Sequence, residues 1–152
     1  MDIKLKNIKH MPSLSEETEC FSATIYIDGV KKGTASNRGH GGPNEIHPYA
    51  LADEINTYAK TLPHIVSSFK TEDGAPFTYE QSADSVLSEI LQTELENKRF
   101  KKLCLKNTLF RIADQDYEEG SWSKYNVKFT QEVANKLYAK YPNCTILNET
   151  LL

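Results

Sequence analysis

The sequence predicts an α+β domain with a largely antiparallel sheet and about three helices. Apolar residues alternate with polar ones in consecutive segments that are joined by tight turns, which is typical of antiparallel strands. Segments with helical periodicity occur in between, but they do not alternate regularly with the strands. The expected order is roughly β-β-β-α-α-β-β-α-β. With 152 residues and no internal repeat or linker, the chain is expected to form one domain over residues 1–152.

The first strands are predicted around a tight turn. A first strand is expected near Ile3, Leu5 and Ile8, which lie among lysines. From Phe21 to Ile27, apolar and polar side chains alternate with a period of two. Asp28-Gly29 follows, and this dipeptide tolerates the positive φ angles of a two-residue hairpin turn. Val30 to Asn37 should therefore return antiparallel.

Two helices are predicted in the middle of the chain. Pro48 suits the first turn of a helix, and Pro63 ends the helical pattern that follows it. Residues 64–76 are expected to form a loop. Residues 78–81 (TYEQ) have the form of a capping box and should start a second, longer helix.

The last third returns to strands and ends on a helix and a short strand. Strands are predicted from Leu103 to about Ala113 and from Trp122 to Phe129, with an acidic turn between them. Thr130 is expected to cap a third helix. Cys144 to Leu147 should form a short closing strand.

Composition and charge exclude several classes of protein. There is no apolar run of about 20 residues, so no membrane span is expected. Without the apolar segment of a secretory signal, the chain is expected to be cytoplasmic, with three reduced and mostly buried cysteines. The net charge of −3 argues against a dedicated nucleic-acid binder. The basic run Lys98–Lys102, with Phe100 inside it, is better explained as the end of a helix than as a nucleic-acid site.

The segment Ala23 to Gly42, ATIYIDGVKKGTASNRGHGG, resembles a group of small, mostly uncharacterised proteins from phages, prophages and other mobile elements of bacteria. These proteins often open with a strand similar to KLKNIK, here Lys4 to Lys9. The resemblance covers about the first third of the chain. It implies an accessory protein of a mobile element, and some such proteins antagonise host defence systems. It carries no catalytic or binding residues with it.

A glycine-rich segment between the hairpin and the first helix is the candidate ligand-binding site. A turn of this kind at a helix start presents backbone N–H groups to an anion. The sequence is GHGGP; it matches neither GxGxxG in a βαβ unit nor a P-loop. The same glycines also suit a sharp structural corner, and the two interpretations stay open. The candidate ligand-binding residues are Arg38, Gly39, His40, Gly41, Gly42 and Tyr49.

A metal site is the alternative at the same loop. His40, Glu45 and His47 lie within eight residues, and imidazole with carboxylate suits zinc or manganese. Their spacing is not that of a recognised metal motif, so no metal and no cofactor are expected. A small metal-assisted hydrolase or nuclease using His40 and Glu45 is the rival hypothesis.

The leading hypothesis from the sequence is a non-enzymatic binding protein of phage or mobile-element origin. Its partner would be a host protein, such as a defence protein, or a small anionic ligand held by Arg38 and backbone N–H groups. A homo-oligomeric interaction protein is a further alternative.

Overall fold

The structure, a computed structural model, describes residues 1–151. It confirms the predicted α+β class with antiparallel sheets. The chain divides into two compact units, Met1–Leu91 and Gln92–Leu152, and each is described by itself. Among the described residues, no helix is both long enough and apolar enough to cross a membrane.

A four-stranded antiparallel sheet is the main element of the first unit. Its order is β1 (Ile3–His10), β2 (Phe21–Ile27), β3 (Val30–Asn37) and β4 (Glu45–His47). Asp28 and Gly29 have φ angles of 49° and 82°, as a two-residue turn requires. The predicted hairpin is therefore confirmed. Alternate residues of β2 are buried, and these are Phe21, Ala23, Ile25 and Ile27.

Helix α1 (Tyr49–Ala59) follows β4 directly. Pro48 stands at the N-cap position, immediately before the first helical residue. Gly33 of β3 allows α1 to approach the sheet, because a Cβ there would lie 2.1 Å from the carbonyl oxygen of His47 and 2.7 Å from Cδ2 of Leu51. The face that α1 buries consists of Leu51, Ile55 and Ala59.

The predicted loop of residues 64–76 is wrong, because much of it is strand. β5 (Ile65–Lys70) and β6 (Pro76–Tyr79) form a separate two-stranded antiparallel sheet. The turn between them closes with the Thr71 N–H donating to the Ala75 carbonyl at 2.8 Å and the Gly74 N–H to the Thr71 carbonyl at 2.9 Å. Gly74 has a positive φ of 81°, so Asp73-Gly74 is also a turn signal, in a longer connection than the two-residue turn at Asp28-Gly29.

The predicted capping box is also wrong, because Thr78 belongs to β6. Helix α2 (Ala83–Cys104) begins later and extends from the first unit into the second. Ser82 and Ser85 cap it reciprocally: the Ser85 N–H donates to Ser82 Oγ at 3.2 Å, and the Ser82 N–H donates to Ser85 Oγ at 2.9 Å. Serine at the third helical position replaces the Glu or Gln that the pattern normally has.

The second unit contains a three-stranded antiparallel sheet in the order β8 (Ser123–Tyr125), β7 (Thr108–Arg111), β9 (Thr145–Ile146). The predicted strand at Leu103 is helix, because α2 continues to Cys104 and the Asn107 side chain donates to the Leu103 carbonyl at 2.9 Å. Helix α3 (Gln131–Lys140) begins after Thr130, whose Oγ1 accepts the Val133 N–H. A last helix, α4 (Asn148–Leu151), was not expected.

Two small apolar clusters form the core of the second unit. One joins β7, α3 and β9 through Phe110, Ala134, Leu137, Cys144 and Ile146. The other contains Phe100, Cys104 and Leu109. Phe100 is therefore a core residue, and it does not serve the basic run around it as an exposed stacking platform.

Candidate binding surfaces

The glycine corner, residues 37–44, connects β3 to β4 and is held by its own hydrogen bonds. The Gly39 N–H donates to Oδ1 of Asn37 at 2.9 Å, and the Gly41 N–H donates to the Thr18 hydroxyl at 3.3 Å. The carbonyl of Gly39 accepts the N–H groups of Glu16 and Glu17 at 3.0 Å each. The N–H groups of Gly39 and Gly41 are thus already used within the corner, so neither is free for an anion.

Asn37 organises this corner from a buried position. Its Oδ1 also accepts the Thr18 hydroxyl at 2.7 Å, and its Nδ2 donates to the Gly42 carbonyl at 3.3 Å and to Asn44 Oδ1 at 3.2 Å. A buried amide that satisfies both of its ends in this way fixes the loop in one conformation. These contacts favour the structural interpretation of the corner.

The candidate ligand residues predicted from the sequence do not converge. Arg38, His40 and Gly42 are exposed, while Gly39 is buried and Gly41 is half-buried. The His40 Nδ1 lies 3.2 Å from Oε2 of Glu16. Tyr49 lies in the first turn of α1 with 76% of its surface exposed. Of the six candidates, only Tyr49 lines the cleft described below.

The metal alternative finds no support in the geometry of residues 1–151. His40 is paired with Glu16, and the His47 Nε2 lies 4.0 Å from Oε2 of Glu45. Within the described part of the chain, no three His, Cys, Asp or Glu side chains are grouped so that they could hold a metal ion. His40 and Glu45 are therefore not observed as a pair.

A cleft of about 440 Å³ lies beside the corner, between β4 and the first turns of α1 and α2. Its walls are joined by hydrogen bonds. The Asn44 N–H donates to Asp84 Oδ1 at 2.6 Å, and the Ala83 N–H donates to Asn56 Oδ1 at 2.7 Å. Its lining includes Pro43, Ile46, Ala52 and Ala83 as apolar residues, with Glu45, His47 and Tyr49 among the polar ones.

The β5–β6 hairpin, which we call the aromatic hairpin (residues 65–79), exposes large apolar side chains. Phe69 is 77% exposed and Phe77 is 50% exposed. The rings of Phe77 and Tyr79 stack with their centroids 6.4 Å apart. Val66 is also exposed. A local concentration of exposed aromatic residues is typical of a protein-binding surface.

A bulge in β5 shapes the aromatic hairpin. Val66 pairs with Thr78 and Lys70 pairs with Pro76, so three residues of β5 stand opposite one residue of β6. Phe69 lies inside this bulge, and its N–H donates to Ser67 Oγ at 3.2 Å. Bulges interrupt strand pairing and redirect side chains. All four residues of β6 and four of the six residues of β5 are exposed, so Phe69 and Phe77 lie on a hairpin that is exposed along most of its length.

The three cysteines are buried and unpaired by disulfides, as expected. Burial raises the pKa of the Cys104 thiol and that of the Cys144 thiol above the usual value. A raised thiol pKa lowers the fraction of reactive thiolate at neutral pH. These two thiols are therefore poorly suited to nucleophilic catalysis.

The aromatic residues beside the predicted acidic turn are already engaged. The guanidinium of Arg111 lies 4.2 Å from the ring centre of Trp122 and 5.6 Å from that of Tyr117, and its Nε donates to the Ser121 carbonyl at 2.8 Å. Tyr117 and Trp122 are half-buried. They stabilise this turn and are less available to a partner than the residues of the aromatic hairpin.

Sequence reasoning missed both the aromatic hairpin and most of the cleft. The hairpin had a visible signal, because Asp73-Gly74 separates two short segments that are rich in β-branched and aromatic residues. The cleft had none, since it brings together residues about 40 positions apart. No protein-family model, curated protein or solved structure matches the chain.

Proposed function

We propose that this chain is a small non-enzymatic binding protein that blocks a partner protein, and that the aromatic hairpin is its contact surface. The observation that carries the proposal is the exposure of Phe69, Phe77 and Tyr79 on one two-stranded sheet. Aromatic side chains supply large contact areas and few rotamers to lose, so they are the usual anchors of protein interfaces.

The hairpin is built to bind through its side chains more than through its strand edges. The bulge disrupts the hydrogen-bonding edge of β5, and Pro76 lacks the N–H that β6 would offer. Both features oppose the addition of a further strand. Phe69 is therefore the side chain expected to enter a pocket of the partner, with the polar turn residues Thr71 to Asp73 at the rim.

The class of partner follows from the resemblance of Ala23 to Gly42 to proteins of phages and mobile elements. An accessory protein of such an element acts on components of its bacterial host, and a host defence protein is the partner that this setting favours. The proposal places the protein in the host cytoplasm. It rests on this resemblance and on the exposed aromatic surface together.

Quantitative affinity capture from a bacterial lysate tests the proposal. The baits are the full chain, the variant Phe69→Ser/Phe77→Ser, and Val30→Ser as a control with a comparably exposed apolar residue outside the hairpin. We expect one host protein to be enriched by the first and third baits and lost with the second. Circular dichroism verifies that the variants fold. If the double variant does not fold, Phe69→Ser alone is the milder substitution that replaces it as bait.

Two results would count against the proposal. One is equal capture by the hairpin variant and the control. The other is a wild-type chain that self-associates in light scattering and becomes monomeric in the hairpin variant, which would assign the hairpin to a homo-oligomer.

A small anionic ligand is a second candidate, favoured by Arg38. This side chain is exposed two positions before His40, and within residues 1–151 it forms no ion pair. An exposed guanidinium presents a fork of donors that suits a phosphate or carboxylate. Calorimetric titration with nucleotides and cyclic nucleotides tests this candidate. Affinity that is unchanged in Arg38→Ala/His40→Ala would remove the corner from consideration.

A further inference from the structure

The cleft between β4, α1 and α2 has a distinctive combination of walls and charges. Its apolar walls come from Pro43, Ile46, Ala52 and Ala83. Its formal charges are the carboxylates of Glu45 and Asp84, and no lysine or arginine lines it. Its volume of about 440 Å³ lies within the range of ligand pockets, about 300–1,000 Å³.

Two opposing electrostatic contributions act on a ligand in this cleft. First-turn residues of α1 and α2 line it, so the positive ends of both helix dipoles lie beside it, each equivalent to roughly +0.5 charge. The two carboxylates contribute two full negative charges, so about one negative charge remains uncompensated. The Asn44 N–H occupies Oδ1 of Asp84, which leaves Oδ2 of Asp84. The Glu45 carboxylate accepts no hydrogen bond within residues 1–151, and its Oε2 lies 4.0 Å from Nε2 of His47. The balance favours a cation over an anion.

An aromatic pair stands at the rim of the same cleft. The rings of His47 and Tyr49 have centroids 5.2 Å apart and are tilted by 54°. The face of an exposed tyrosine attracts a cation, and a planar guanidinium can stack on it. The apolar walls would hold the aliphatic part of a long basic side chain. Together these features match arginine better than lysine, because the guanidinium also forms paired hydrogen bonds with a carboxylate.

We propose that this cleft binds an arginine side chain of the protein partner. The inference rests on the proposed function, since the partner supplies the arginine. The cleft would be a second anchoring point for the partner, chemically different from the aromatic hairpin. In this arrangement Tyr49 stacks on the guanidinium, Glu45 and Asp84 accept its hydrogen bonds, and the apolar walls enclose its methylene groups.

A titration of the isotopically labelled full chain with short peptides tests the cleft directly. The probes are acetyl-Gly-Arg-Gly-amide, the corresponding Lys and Gln peptides, and inorganic phosphate, followed by amide chemical shifts. We expect the Arg peptide to shift amides of residues 44–49 and 82–84. The Lys peptide should bind more weakly, and the Gln peptide and phosphate should leave these amides unchanged.

Single substitutions identify the side chains that bind the Arg peptide. Tyr49→Leu and Glu45→Gln should each weaken binding of the Arg peptide about two- to five-fold. Asp84→Asn should weaken it while keeping the acceptor for the Asn44 N–H. Glu54→Gln, an equal change of charge at an exposed position of α1 outside the cleft lining, should have no effect.

The proposal is overturned if the Arg peptide causes no shifts in this region, or if the Gln peptide causes equal ones. It is also overturned if phosphate binds there instead, or if the Tyr49 and Glu45 variants bind like wild type. Its failure is distinguishable from that of the proposed function. If the Arg peptide does not bind but the hairpin variant still loses the partner, only the cleft is removed. If the Arg peptide binds but the hairpin variant captures the partner as well as the control does, only the hairpin is removed.

Discussion

The Thr18 hydroxyl donates a hydrogen bond of 2.7 Å to Oδ1 of the buried Asn37. This bond joins the connection after β1 to the end of β3, and it holds the glycine corner in its observed conformation. Because the same Oδ1 also accepts the Gly39 N–H, the loss of this one side chain leaves two donors without their acceptor.

Asn37→Ala should therefore destabilise the first unit by about 1–3 kcal/mol, which is the usual effect of leaving buried donors unsatisfied. Amide hydrogen exchange of Ile25, a fully buried residue of β2, measures this free energy of opening. Asn135→Ala on the exposed surface of α3 is the control and should leave the exchange rate unchanged. If the Ile25 amide exchanged at the same rate in Asn37→Ala as in the wild type, the corner would not depend on the Asn37 side chain.

Gly39→Ala should be more damaging than Gly42→Ala. Both glycines have positive φ angles, 88° and 79°, so both substitutions carry the strain of a left-handed conformation, about 1–2 kcal/mol. A Cβ at Gly39 would in addition lie 2.2 Å from the Leu14 carbonyl oxygen, whereas one at Gly42 meets nothing within 4 Å. The same exchange measurement should rank Gly39→Ala as the less stable by a clear margin. The opposite ranking would contradict the close packing of the corner.

Ser82→Ala should cost about 1 kcal/mol, because Ser82 caps α2. Thr78→Ala should change stability by no more than about 0.5 kcal/mol, since Thr78 is an exposed residue of β6. Exchange of the Leu87 amide in α2 measures both effects. If the Thr78 variant were the more destabilised, the helix would begin at the position predicted from the sequence.

The turn of the aromatic hairpin has a pH-sensitive contact. The Thr71 hydroxyl donates to Asp73 Oδ1 at 2.6 Å, and mainly for this reason the pKa of Asp73 lies below its usual value of 3.8. A lowered carboxyl pKa stabilises the turn above pH 3.8, and this contribution is lost as the pH falls through the folded-state pKa.

Thr71→Val should therefore raise the pKa of Asp73 toward its usual value, as followed by carboxyl chemical shifts during an acid titration. Thr57→Val on α1, where the hydroxyl bonds only a backbone carbonyl, should leave the Asp73 titration unchanged. A Thr71 variant with the wild-type Asp73 titration would show that this bond does not form in solution.

The sequence was sufficient where a local pattern determines the structure. The alternation in β2 and the Asp28-Gly29 turn predicted the first hairpin, and Thr130 predicted the start of α3. The sequence was insufficient where contacts between residues that are far apart in the chain determine the local structure. Leu103 reads as part of a strand, but it is held in α2 by the packing of Phe100 and Cys104 and by the Asn107 side chain.

The candidate binding surfaces were also only partly predictable from local sequence patterns. The glycines predicted a tight corner, but the inward direction of its N–H groups depends on Thr18, nineteen residues before Asn37. The cleft requires β4 and α2 to meet, and no local pattern in the sequence encodes that meeting. Tyr49 is the only one of the six ligand residues predicted from the sequence that lines the cleft. It was identified from its position at the start of a helix.

The aromatic hairpin is the proposed contact surface for a protein partner. The most direct measurement is the dissociation constant of the captured host protein for the wild-type chain and for Phe69→Ala, determined by calorimetry with Val30→Ala as control. We expect Phe69→Ala to weaken binding at least about tenfold, as the loss of a central aromatic anchor does, and the control to bind like wild type. A Phe69→Ala variant that binds as tightly as wild type would show that the aromatic hairpin is not this contact surface.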